Sequence, residues 1–124
     1  MINETDLEAW GYYQDSTMYK NMTLNSYQKM AEGTAIYPTQ HAITYPALGL
    51  AGEAGEVANK VKKIIRDGKM DKSSLVAEIG DCLWYIAALC RDLNVDMEDV
   101  AKNNLEKLYY RKQKGTLQGS GDTR

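Results

Sequence analysis

One histidine and two cysteines in 124 residues are too few for an ordinary zinc site. Cys82 and Cys90 stand eight residues apart in one apolar run. On a helix that is about 12 Å along the axis, too far for a disulfide, so both are expected as small buried hydrophobes. Basic residues are not in excess: the net charge is -2, which removes the electrostatic footprint of a nucleic-acid binder. No unbroken apolar run reaches the ~20 residues of a membrane span, and the opening MINETDLEAW has no signal-peptide pattern. The expectation is a cytoplasmic protein with neither membrane nor nucleic-acid partner. Internal repeats and alternating strand patterns are also lacking, and there are only two prolines, Pro38 and Pro46.

What remains is helical. With 44% hydrophobic and 26% charged residues, the chain has the composition of one globular domain. Residues 1–24 form a polar, tyrosine-rich extension without a clean period. A first helix is expected from Asn25, with Gln28 completing a capping-box-like start, to about Thr34. The stretch AIYPTQHAITYP is then an irregular connection. Pro46 favours the first turn of a second helix, which should end at Gly68 after Lys62, Lys63 and Arg66. A third helix, capped by Asp71 or by Ser73 and Ser74, carries apolar residues at steps of three and four from Leu75 to Leu93. Asp96 and Asp99 open a fourth, which fades near Gly115. Residues 116–124, TLQGSGDTR, read as a flexible tail. The fold expected over 25–115 is all-α, a four-helix-type bundle.

The stretch GLAGEAGEVA, residues 49–58, sits oddly in that pattern. Each glycine in a helix costs about 1 kcal/mol relative to alanine, yet Gly49, Gly52 and Gly55 lie beside two acids. Glu53 and Glu56 are neighbours on one helix face, and Glu78 and Asp81 repeat the spacing on the third helix. Both pairs border apolar stripes, so an antiparallel packing of the two helices, favoured by their short connection, would let the four carboxylates converge. Convergent carboxylates repel unless a cation lies between them, and oxygen ligands suit Mg²⁺. A single acid pair of this kind is usually a solvated face, and Glu56 could simply pair with Lys60. Two pairs beside the core on adjacent helices favour the metal. A di-iron bundle needs Glu-x-x-His, which is missing, and the glycine spacing does not match a dinucleotide fold. The glycines would let a helix or ligand approach the backbone.

With these motifs in place, YPALGLAGEAGEVANKVKKIIRDGK, LVAEIGDCLWYIAAL and NLEKLYYRKQKG resemble the MazG-like nucleotide pyrophosphohydrolases, over residues 26 to 115. The likeness is to short, single-domain, phage-type members, whose setting would be the host cytoplasm. It implies a hydrolase that cleaves (d)NTPs between the α- and β-phosphates, giving a monophosphate and pyrophosphate. Glu53, Glu56, Glu78 and Asp81 match the family's catalytic metal ligands, with Mg²⁺ as cofactor and Mn²⁺ as a substitute. Asn104, Lys107 and Arg111 share one face of the fourth helix and, with Lys60 and Lys63 on the acid face of the second, are expected to bind phosphates. Tyr85, one turn past Asp81, is the favoured base contact, with Tyr37, His41 and Tyr45 as further candidates. Sites in this family lie between subunits, which implies a homodimer or homotetramer. The alternative is a non-enzymatic helical nucleotide-binding or interaction protein that retains the metal motif.

Overall fold

A computed structural model describes residues 20–124; residues 1–19, most of the extension expected over 1–24, lie outside the described residues. Among the described residues there are four α-helices and no strand. They are α1 (Leu24–Glu32), α2 (Thr44–Asp67), α3 (Lys72–Asp92) and α4 (Met97–Lys114), with a short 3-10 turn at Thr39–His41. The all-α expectation holds.

Helix ends differ from the sequence expectation where a better donor or acceptor stands nearby. Thr23, not Asn25, caps α1: its Oγ1 accepts from the Ser26 amide at 3.1 Å, and Ser26 Oγ accepts from the Thr23 amide at 2.8 Å. Asn25 and Gln28 are thereby free for another task. The first amides of α4 have no side-chain cap from Asp96. Instead Met97 N donates to Gln28 Oε1 at 2.8 Å and Glu98 N to Asn25 Oδ1 at 3.0 Å. Gln28 Nε2 also donates to the Val95 carbonyl at 2.9 Å. The helix opens at Asp96 as expected, but two side chains of α1 take its first amides, because unpaired amides at a helix start need acceptors from somewhere.

Asp71 takes the α3 cap, accepting from the Ser74 amide at 3.1 Å. Gly68 ends α2 in the left-handed conformation, φ 67°, with its amide on the Ile64 carbonyl, the ending that glycine allows at no steric cost. Four residues then suffice to turn the chain, and α2 packs on α3 along their length in reverse order. Gly49 meets Tyr85, Glu53 lies with Asp81, and Lys60 reaches Glu78.

The core is small and close. Ala87, Cys90 and Met97 are buried, with Tyr27, Ala31 and Ile86 packed around them. Cys82 is half-buried and, like Cys90, free. Helix α3 lies against both α1 and α2, whereas α4 makes its main contacts with α1. Of the described helices, α3 has the length and apolar content to cross a membrane. Glu78 and Asp81 interrupt its apolar residues, so it holds no unbroken apolar run of that length. Packing by α1 and α2 covers only part of it, and Val76, Ile79 and Leu83 stay exposed.

The three glycines of α2 separate here. A Cβ on Gly49 would lie 2.1 Å from the Tyr85 ring, while positions 52 and 55 have nothing within 4 Å. Gly49→Ala is expected to destabilise the chain by about 1–3 kcal/mol through overpacking. Gly52→Ala is expected to stabilise it by up to ~1 kcal/mol through helix propensity. Urea unfolding of the two variants checks both signs.

Candidate active site

The α2–α3 pairing brings acids from two helices together. Carboxylate oxygens of Glu53, Glu78 and Asp81 all lie within 4.8 Å of one another. Glu56, one turn further along α2, stands outside this set but adds its charge to it. Glu53 and Glu78 are half-buried and Asp81 is exposed. Burial first, then the charges of Asp81, Glu78 and Glu56, push the Glu53 carboxyl above its ordinary value. That is the response of an anion held among anions, and a cation placed there would relieve it. Lys60 supplies part of the compensation, with Nζ 3.8 Å from Glu78 Oε1. The donor set is all oxygen, as a hard divalent ion requires, so the residues fit Mg²⁺.

Beyond the acids, toward the α2–α3 turn, Lys60, Lys63 and Lys69 border a cavity of about 450 Å³ together with Asp67, Asp71 and Ser74. Lys60 links it to the acid cluster through Glu78, and its lining is of mixed charge.

Aromatic rings gather on the other side. Tyr85 lies flat against the Gly49 backbone, 6.5 Å from Tyr45 and 5.0 Å, edge to face, from Trp84. Tyr45 stacks on Tyr37 at 4.7 Å with an interplanar angle of 15°. Trp84 Nε1–H donates to Thr34 Oγ1 at 2.7 Å. Burial, then Tyr45, Glu53 and Asp81, raise the Tyr85 hydroxyl above its ordinary value, so this ring borders the acids. His41 is exposed in the 3-10 turn.

Asn104, Lys107 and Arg111 are not joined to the acids within one chain, because α4 packs chiefly on α1. Arg111 is buried under the C-terminal segment, donating to the Asp122 carbonyl at 2.9 Å. Lys107 and Arg111 both face the Asp122 carboxylate, at 3.9 and 3.5 Å.

Sequence reasoning missed one cluster. Asp92 Oδ2 accepts from the Tyr37 hydroxyl at 2.7 Å and from the Ile43 amide at 3.0 Å. Its Oδ1 accepts from Arg91 Nε and an Arg91 Nη at 3.0 and 2.9 Å. The same guanidinium donates to the Tyr37 hydroxyl at 2.6 Å and lies over the Tyr37 ring. Arg-Asp at a helix end ordinarily reads as solvated charge, and nothing in the sequence pairs position 92 with positions 37 and 43.

Residues 42–116 match the MazG nucleotide pyrophosphohydrolase domain. The chain is 45% identical to a protein of Mycobacterium phage L5, "Gene 37 protein", over 114 residues that cover 83% of this chain and 100% of that one. No solved structure matches significantly.

The Asp92 cluster has a pH signature. Burial alone would raise the Asp92 carboxyl, but the Ile43, Tyr37 and Arg91 donors outweigh it and hold the group below its ordinary value. Its contribution to stability is therefore present above about pH 4 and lost as pH falls through the lowered value. Burial and the Asp92 hydrogen bond push Tyr37 up to about 12. Its contribution is full below about pH 10 and lost as pH rises toward 12. The stability difference between the wild type and Tyr37→Phe is expected to shrink at both extremes, as read by urea unfolding across pH. A difference independent of pH would contradict the assignment.

Proposed function

The chain belongs to the MazG nucleotide pyrophosphohydrolase family, and from that membership we propose that it hydrolyses nucleoside or deoxynucleoside triphosphates between the α- and β-phosphates, with Mg²⁺ held by Glu53, Glu56, Glu78 and Asp81. The observation that carries this reading is the convergence of Glu53, Glu78 and Asp81 from two helices within 4.8 Å. The ion, when bound, would neutralise phosphate charge, polarise the phosphorus centre and lower the pKa of water, with Mn²⁺ able to take its place.

The side chains have separable roles in this reading. The four carboxylates would hold the ion, Glu56 from one turn beyond the three that converge. A glutamate of the set can also accept the proton of the attacking water. Lys60 and Lys63, on the cavity side, bind the leaving pyrophosphate and balance its charge. Tyr85, on the opposite side of the acids, contacts the base. The direction of the substrate along the α2–α3 seam follows from this order of aromatic, acidic and basic side chains.

Asn104 and Lys107, both exposed on α4, enter the site from a second subunit, and Arg111 joins them only once the C-terminal segment that buries it lifts away. In support, one chain leaves Val76, Ile79 and Leu83 of α3 and Leu105 and Leu108 of α4 exposed, apolar side chains that a second copy would cover. We assign the chain to a homodimer or homotetramer, working in the cytoplasm, that of the host for a phage-encoded protein.

Pyrophosphate release from a panel of (d)NTPs with Mg²⁺ is the direct test, and a folded protein with no turnover on any of them would sink the reading. Glu53→Gln and Asp81→Asn are expected to lower the rate by more than about 100-fold, since even outer-shell changes at metal sites cost roughly 10–100-fold. Mg²⁺ should raise the melting temperature of the wild type and not of these variants. Light scattering should give the mass of a dimer or tetramer, and Leu105→Asp should lower it.

A further inference from the structure

The Tyr37–Asp92–Arg91 cluster is more elaborate than a helix end needs. Ile43, which it holds, has φ 68° and ψ -54°, and the Thr44 amide bonds back to the Ala42 carbonyl at 2.8 Å. This is a γ-turn with positive φ, a conformation that a β-branched residue adopts only when its surroundings impose it. Such outliers cluster where a fold must aim a functional group. Ile43 immediately precedes α2, and two residues on is Tyr45, followed by the fully buried Pro46.

Asp92 therefore grips both ends of one aromatic pair. Through the Tyr37 hydroxyl it fixes one ring, and through the Ile43 amide it fixes the backbone that carries Tyr45, the ring stacked on it. The carboxylate side chain is 5% exposed and has accepted hydrogen bonds on both oxygens, so it has no further need of solvent. Tyr45 by contrast is 46% exposed, and beside it stands Tyr85, which borders Glu53 and Asp81. A planar ring laid on the exposed part of Tyr45 would find a stacking surface already set.

We propose that Asp92 is a positioning residue for nucleobase binding, setting the stacked Tyr37–Tyr45 pair as the wall against which the base lies. Asp92 does not touch the base; it acts through the Tyr37 hydroxyl and the Ile43 turn. The inference rests on the reading of the chain as a nucleotide-binding member of its family. It adds a reason for the strained turn, which the metal site alone does not require.

The test separates binding of the base from hydrolysis. Trp84 stands edge-on to both Tyr37 and Tyr85, so its fluorescence, measured in a Trp10→Phe background, reports a ring that enters the wall. Nucleosides without phosphates are titrated without metal into the wild type, Asp92→Ala, Asp92→Asn and Tyr37→Phe. Asp92→Ala is expected to raise the nucleoside Kd about tenfold, the scale of one lost base-stacking contact. For triphosphate turnover it should raise KM with kcat nearly unchanged. Asp92→Asn, which keeps an acceptor oxygen for Tyr37 and Ile43, should recover most of the affinity. Tyr37→Phe keeps every apolar contact and should weaken binding less than Asp92→Ala; it decides the matter if Asp92→Ala does not fold. Wild-type affinity in folded Asp92→Ala, or in Tyr37→Phe when the alanine variant is unfolded, would overturn the proposal, as would a lower melting temperature with no change in Kd or KM. If the wild type quenches with nucleosides and Asp92→Ala does not, the proposal stands even where no triphosphate is hydrolysed. The absence of hydrolysis would then count against the hydrolase reading alone.

Discussion

Everything at this site depends on holding like charges together. Glu53, Glu78 and Asp81 bring their oxygens within 4.8 Å of one another, and desolvation together with the neighbouring carboxylates raises the Glu53 carboxyl. Neither helix could impose that arrangement alone. It exists because α2 and α3 pack along their length, and that packing rests on the apolar stripes beneath the acids and on the short turn closed by Gly68. Lys60, reaching Glu78 across the seam, relieves part of the repulsion from within the chain. An oxygen-lined cluster of this kind suits a divalent cation, which is why its geometry supports the proposed chemistry.

The seam also has a polarity. From the start of α2 toward its end come the aromatic rings, then the acids, then the lysines of the cavity beside the turn. Gly49 sets the first part, since any side chain there would occupy the space of the Tyr85 ring. The Tyr37–Asp92–Arg91 cluster secures the chain just before it, at the strained Ile43 turn. Helix α4 stands apart, tied by its first amides to Asn25 and Gln28 of α1 and otherwise presenting exposed leucines and tyrosines. Those side chains are the ones the proposed oligomer would cover.

Much of this was legible in residue order. The four helices follow from apolar spacing, and their ends from Gly68, Asp71 and Gly115. The acid pairs stood out because each repeats a three-residue step beside an apolar stripe. Caps were harder to read. Asn25 and Gln28 have the chemistry of an N-terminal box, yet Thr23 takes that place and the two amides serve a helix almost seventy residues away. Local pattern cannot distinguish a side chain that caps its own helix from one that caps another, because the same oxygen satisfies either donor. Asp92 was invisible for a related reason: its partners at 37 and 43 are near only after α3 has packed.

The sequence by itself determined the helices, the pairing of acids on two of them and the family to which the chain belongs. Hydrophobic periodicity and motif spacing are local properties, and they survive in one dimension. Tertiary structure alone decided which glycine is needed for close approach, which three of four acids meet, and that Asn104, Lys107 and Arg111 lie on a helix apart from them. Those outcomes depend on which faces pack and on the crossing of helices. Contacts between distant residues are created by folding, and no spacing along the chain encodes them.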